Sequence, residues 1–137
     1  MYWSCLRLAP GNILKVPRRC AGSGYTMPSP TYTVFRNAIL REQQVICTYK
    51  GRHRELCPHI IGTNKRGQEA VLAWQFSGDV SSGKLPPGGQ WKCLTLANVR
   101  SARARDGRWY EGDSHKTTQT CVAKIDLDIN IHVRKLR

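Results

Sequence analysis

Hydrophobic and polar positions first follow a helical period along this chain and then switch to strict alternation. Val34, Phe35, Ala38 and Ile39 recur at helical spacing, with Arg36, Asn37, Arg41 and Glu42 on the opposite side. Ser29 stands where a helix N-cap is needed and Pro30 at the first helical position, where a missing N–H costs nothing. The pattern predicts an amphipathic helix over Thr31–Gln43, too short to be stable without packing its apolar stripe on something. From Val45 the period becomes two. Val45–Tyr49 reads as a strand, Lys50-Gly51 as a tight turn, and Arg54–Ile61 as the returning strand, with Pro58 marking an edge or bulge. Asn64–Gly67 turns into a strand over Ala70–Phe76, residues 77–90 form a polar loop, and Trp91–Val99 is the fourth strand. The cleanest alternation comes last. Cys121, Ala123, Ile125, Leu127, Ile129 and Ile131 are apolar, while Lys124, Asp126, Asp128, Asn130 and His132 are polar, which predicts one long strand with a buried and a wet face.

One helix and five strands in 137 residues make one domain, mostly β, in which a strongly bent antiparallel sheet closes into a small barrel. The block Pro58–Leu96 is its centre, with Trp74 and Trp91 on strands flanking the long loop and His59, Gln75, Ser77, Ser81, Ser82 and Lys92 beside them. Residues 100–119 are polar, and Trp109 and Tyr110 are expected to pin that excursion onto the barrel. Residues 1–26 carry Arg7, Lys15, Arg18 and Arg19, no acidic residue and no periodicity. Pro10, Gly11, Asn12 and Lys15 interrupt any apolar run a secretory signal would need. The segment is expected to be a disordered or non-native basic extension, with translation beginning at Met27 and the domain occupying 27–137.

Charge adds a partner class. Lys and Arg number 22 against 9 Asp and Glu, a net +13, which favours polyanions such as nucleic acid. Lys50, Arg52, His53 and Arg54 crowd the first hairpin, Lys65 and Arg66 the next turn, and Arg100, Arg103, Arg105 and Arg108 follow the fourth strand with only Asp106 among them. These read either as a nucleic-acid patch or as ordinary solvated turns. Of six cysteines (5, 20, 47, 57, 93 and 121), Cys47, Cys93 and Cys121 lie in apolar runs as small buried hydrophobes, and no Cys-x-x-Cys pair occurs. A reduced, cytoplasmic protein is expected, and no apolar run approaches a membrane span. Cys57 and His59 share a strand face, but nothing supplies an orienting third group, so no nucleophile is assigned. Metal-ligand spacing is absent, and Asp126 and Asp128 lie on the expected solvent face of the last strand. Neither an enzyme nor a cofactor site is expected.

The order of these features resembles the stand-alone, single-domain relatives of the WYL-domain proteins. The residues that carry the resemblance are the helix, Val45-Ile-Cys-Thr-Tyr-Lys-Gly51, Arg54-x-x-x-Pro58-His59, Gly62, Gly67, the strand Ala70–Gln75, Ser77-Gly78 through Ser82-Gly83, and Trp91-Lys92-x-Leu94-x-Leu96. The resemblance covers about residues 31–99. The Trp-Tyr-Leu tripeptide itself is absent, Leu72-Ala73-Trp74-Gln75 standing in its place, and a single helix leaves no room for a helix-turn-helix. The resemblance implies an Sm-like five-stranded barrel acting as a sensor or accessory module in regulation, with Arg54, His59, Trp74, Gln75, Trp91 and Lys92 as ligand-binding positions. The ligand expected is an anion, a nucleotide or short nucleic acid, drawn in by loop arginines and stacked on Trp74 or Trp91. The alternative is an oligomerising protein–protein interaction module with no small ligand, pairing through an exposed strand edge.

Overall fold

The computed structural model describes residues 27–81, 83–112 and 119–134; the expectations for residues 1–26 and for Ser82 fall outside that range. Helix α1, Pro30–Arg41, begins where the Ser29 hydroxyl accepts the Tyr32 N–H at 3.1 Å and ends at left-handed Glu42. Tyr32, Phe35, Ala38 and Ile39 form its buried stripe, as the helical spacing predicts. Strands β1 (Gln44–Tyr49), β2 (Arg52–Thr63), β3 (Glu69–Gly78) and β4 (Gln90–Thr95) make an antiparallel meander. Two further strands follow. After a single 3-10 turn at Leu96–Asn98, β5 (Val99–Arg105) pairs with β1, and β6 (Lys124–Asp128) pairs with the second half of β2.

The sheet therefore has six strands in the order β4-β3-β2-β1-β5, with β6 on β2, and its ladder is not closed. This corrects the expected closed five-stranded barrel: β4 and β5 meet only through the turn that joins them. The sheet still curls. One core cluster gathers Phe35 and Ile39 of α1, Val45 of β1, Leu56 of β2, Val71 of β3, Leu94 of β4, Val99 of β5 and Leu127 of β6, so every strand turns one face to the same concave side. The long alternating strand over Cys121–His132 is corrected as well. Only Lys124–Asp128 is extended, because before Ile60 the same edge of β2 runs through its Pro58–Ile60 bulge and is then taken by β1 from Leu56 back to Arg52, and Ile129–Arg134 closes into a π-helical turn. Ile125 and Ile131 are exposed, whereas Asp128, expected in solvent, is buried. Its carboxylate accepts the Asn130 N–H at 2.9 Å and starts the turn.

A second, smaller layer covers the convex face. Residues 106–112 and 119–123 cross it, and Val122 packs with Ile60, Ala70 and Leu72. Trp109 and Tyr110 do pin the excursion, Trp109 against His59 and Tyr110 stacked on Phe76 at 4.4 Å. A disulfide between Cys93 of β4 and Cys121 ties this layer down, overturning the expectation that both are reduced, buried hydrophobes. Cys93 is in fact exposed, because it points to the face opposite the core. Cys47 and Cys57 are free and buried.

Candidate functional site

Strand parity divides the expected ligand-binding residues between the two faces. Gln75 shares parity with core residues Val71 and Ala73, and Lys92 with Leu94; Trp74 shares it with Leu72, and Trp91 pairs with Trp74 across the ladder. Arg54 shares parity with Leu56 on the concave side. Arg54, Gln75 and Lys92 thus lie on one face, and His59, Trp74 and Trp91 on the other. One small ligand centred on Arg54 does not stack on either indole, and a ligand meeting both would have to cross the free edge of β4.

On the concave side Arg54 is 2% exposed, yet no carboxylate pairs with it among the described residues. Its Nη1 donates to Gln75 Oε1 at 3.0 Å, its Nη2 reaches Ser81 Oγ at 3.5 Å, and the guanidinium lies over the Tyr49 ring at 5.2 Å. Its Nε has no hydrogen-bond partner among the described residues. Half-buried Lys92 feels that charge: burial, then repulsion by Arg54, holds its ammonium below the usual lysine range. Gln75 is not available to a ligand. It is wholly buried, and its Nε2 donates to the carbonyls of Ser77 (3.2 Å) and Asp79 (2.9 Å). The amide is locked with its oxygen toward Arg54, so Gln75 positions the guanidinium.

The convex aromatics are engaged with one another. His59 donates from Nδ1 to the Cys57 carbonyl at 2.8 Å, and its ring meets Trp91 edge-on at 4.8 Å and Trp109 at 5.1 Å. It occupies a bulge, the extra residue between Pro58, which pairs with Ala73, and Ile60, which pairs with Leu72. The Pro58 signal was thus correctly a bulge, in a central rather than an edge strand. Trp74 meets Trp91 edge-on at 5.2 Å and donates from Nε1 to the Gly88 carbonyl at 3.0 Å. A Cβ at Gly112 would collide with the Trp74 ring, so backbone lies flat against it. The indoles and His59 are buttresses of the second layer, and Trp74 and Trp91 each keep part of their surface exposed. Cys57 belongs to the same layer. Its sulfur accepts the Tyr110 N–H at 3.3 Å, and burial chiefly pushes the thiol up to about 11, the opposite of what a nucleophile needs.

Three of the four arginines after β4 form a group, by a route no sequence pattern announces. Arg100 and Arg103 are three residues apart and would alternate to opposite faces in a regular strand. Ser101, left-handed at φ 54°, adds a residue to β5, so that Arg100, Arg103 and Arg105 stand opposite Thr48, Ile46 and Gln44, every second position of β1. All three then face the convex side. Arg105 is engaged by Glu55 (2.9 Å) and the Gln44 amide oxygen, and Arg108 lies over the Tyr110 ring at 5.1 Å. Arg100 donates to the Ala97 and Val99 carbonyls, and Arg103 is exposed with no ion pair or hydrogen bond among the described residues. No three His, Cys, Asp or Glu side chains converge on a metal position among the described residues, and no described helix is long and apolar enough to cross a membrane. Comparison with family models, curated proteins and solved structures finds no match to this chain.

Proposed function

We propose that this protein is a non-enzymatic binding module for an anionic, phosphate-bearing ligand, held at Arg54 and Lys92 on the concave side beneath the loop after β3. The observation that carries this reading is a buried guanidinium with only neutral partners among the described residues and a second cation beside it. A buried charge without a counter-charge costs several kcal/mol, and an anion placed between the two cations would remove that cost. A nucleotide or short nucleic acid supplies such an anion. Its phosphate is the recognised part, and ring stacking on Trp74 or Trp91 is not. In this reading the curled, open sheet is a variant of the Sm-like barrel of the WYL-domain proteins, and the module serves as a regulatory sensor.

Calorimetric titration with a nucleoside diphosphate and with inorganic phosphate tests the site. Binding is expected in wild type and absent in Arg54→Met combined with Gln75→Leu, which removes both the charge and the amide that holds it. Because an uncompensated charge leaves with the arginine, the double variant should be no less stable than wild type by urea unfolding. A clear loss of stability together with unchanged phosphate binding would show that Arg54 serves the fold alone.

A further inference from the structure

The outer edge of β5 is the most exposed ladder of the sheet, and its chemistry specifies a partner. β5 pairs with β1 on one side only, so one set of its backbone N–H and C=O groups is left without a strand among the described residues. Most of its residues are exposed, and the Ser101 bulge sets Arg100, Arg103 and Arg105 in register on one face. We infer that this edge takes up an extended acidic peptide segment as an added antiparallel or parallel strand, with Asp or Glu at every second position facing the three arginines.

Backbone chemistry, charge and spacing together select that occupant. A bare strand edge offers donors and acceptors in equal number, and only another peptide backbone satisfies both; a phosphodiester chain brings acceptors for the N–H groups and nothing for the carbonyls. A second copy of this chain is disfavoured, because two β5 edges brought together would set arginine against arginine within a protein of net +13. The chain's own first 26 residues are basic and acid-free, so charge excludes them too. The spacing completes the case. Since the bulge places Arg100, Arg103 and Arg105 opposite alternate residues of β1, the complementary partner has its carboxylates two residues apart, the period at which a strand shows one face. A single-stranded nucleic acid would in addition need open aromatic faces beside the cations, and the neighbouring rings are packed on one another.

The test is fluorescence anisotropy with a labelled peptide of about nine residues, enough to span one strand, alternating Glu with Thr. A control peptide of equal charge carries Pro at the Thr positions. The Glu/Thr peptide should bind and slow hydrogen exchange at the backbone amides of 99–105, while the proline peptide, lacking the N–H groups of a ladder, should bind at least about tenfold more weakly. Arg103→Glu should weaken the Glu/Thr peptide by about tenfold or more and Arg103→Lys by much less. Phosphate binding at Arg54 should be the same in both variants, so failure here is distinguishable from failure of the concave site. Equal affinity for the proline peptide, or unchanged exchange in β5, would overturn the added-strand model. Protection of β5 by oligothymidylate alone would assign the edge to nucleic acid instead.

Discussion

Gly62 carries the second half of β2. A Cβ there would collide with the Lys124 carbonyl oxygen and come within 2.8 Å of Val122 Cγ1, so β6 can approach β2 only over glycine. Gly62→Ala is expected to cost about 2–4 kcal/mol in urea unfolding and to accelerate amide exchange in 124–128, because backbone, unlike a flexible side-chain end, cannot move aside. Asp126 gives β6 its tie to the helix: its carboxylate accepts from Tyr32 Oη at 2.6 Å and from Arg36 Nε at 2.9 Å. Burial pulls that carboxyl upward, but the hydrogen bonds from Arg36 and Tyr32 outweigh it and hold the group below its usual range. Glu55 is likewise lowered, first by its hydrogen bond from His53 and then by that from Arg105. Folded-state values below the unfolded ones mean stability that is present above the ordinary carboxylate pKa of about 4 and lost as pH falls through the folded values. Unfolding midpoints measured down the acid limb should fall in wild type and fall less in Asp126→Asn/Glu55→Gln; parallel limbs would remove these two groups from the account. Lys92 has the opposite sign. Because burial and Arg54 hold its ammonium below the usual lysine range, phosphate affinity at Arg54 should weaken at a lower pH on the alkaline side than an ordinary lysine would cause.

Among the elements, α1 is anchored by its cap. Ser29 accepts the Tyr32 N–H while its own hydroxyl donates to Glu69 Oε1 at 2.5 Å, and the Ser29 N–H donates to Glu69 Oε2 at 3.0 Å. One serine thus both begins the helix and fastens it to the start of β3. Ser29→Ala should cost about 1–2 kcal/mol by thermal or chemical unfolding, and Glu69→Gln less, since the backbone cap survives it. The helix and β1 to β4 were legible because each pairs a clean apolar period with a turn signal: Ser29-Pro30, Lys50-Gly51 and Asn64–Gly67 fall where the structure starts or turns. β5 was not legible. Val-Arg-Ser-Ala-Arg-Ala-Arg has almost no apolar residue after Val99, and it is extended only because β1 has an open edge to pair with. The last segment failed in the other direction. Its alternation runs on past Asp128, but a strand without a partner has no ladder to stay in, and Asp128 accepting the Asn130 N–H turns the chain inward instead.

For the whole molecule, the convex layer and its disulfide decide what the concave sheet can present. Cys93 and Cys121 are 28 residues apart, so their bridge closes a loop of a size for which about 2–4 kcal/mol is usual. Cys93→Ser should therefore lower the urea midpoint and raise the fluorescence exposure of Trp91, and peptide mapping without reductant should recover the 93–121 cross-link. Equal midpoints for variant and wild type under oxidising conditions would remove the bridge from the fold's stability. By itself the sequence determined which segments are helical or extended up to residue 95, which residues turn the chain, and that the protein carries a large net positive charge, because local periodicity, turn chemistry and net charge can all be read along the chain. Only tertiary structure decided that Arg54 is buried without a counter-charge among the described residues, that His59, Trp74 and Trp91 brace a second layer, that two cysteines meet, and that a left-handed Ser101 brings three arginines to one face. Each of these depends on register, bulges and which face of a strand is covered, and register is settled between strands rather than within them.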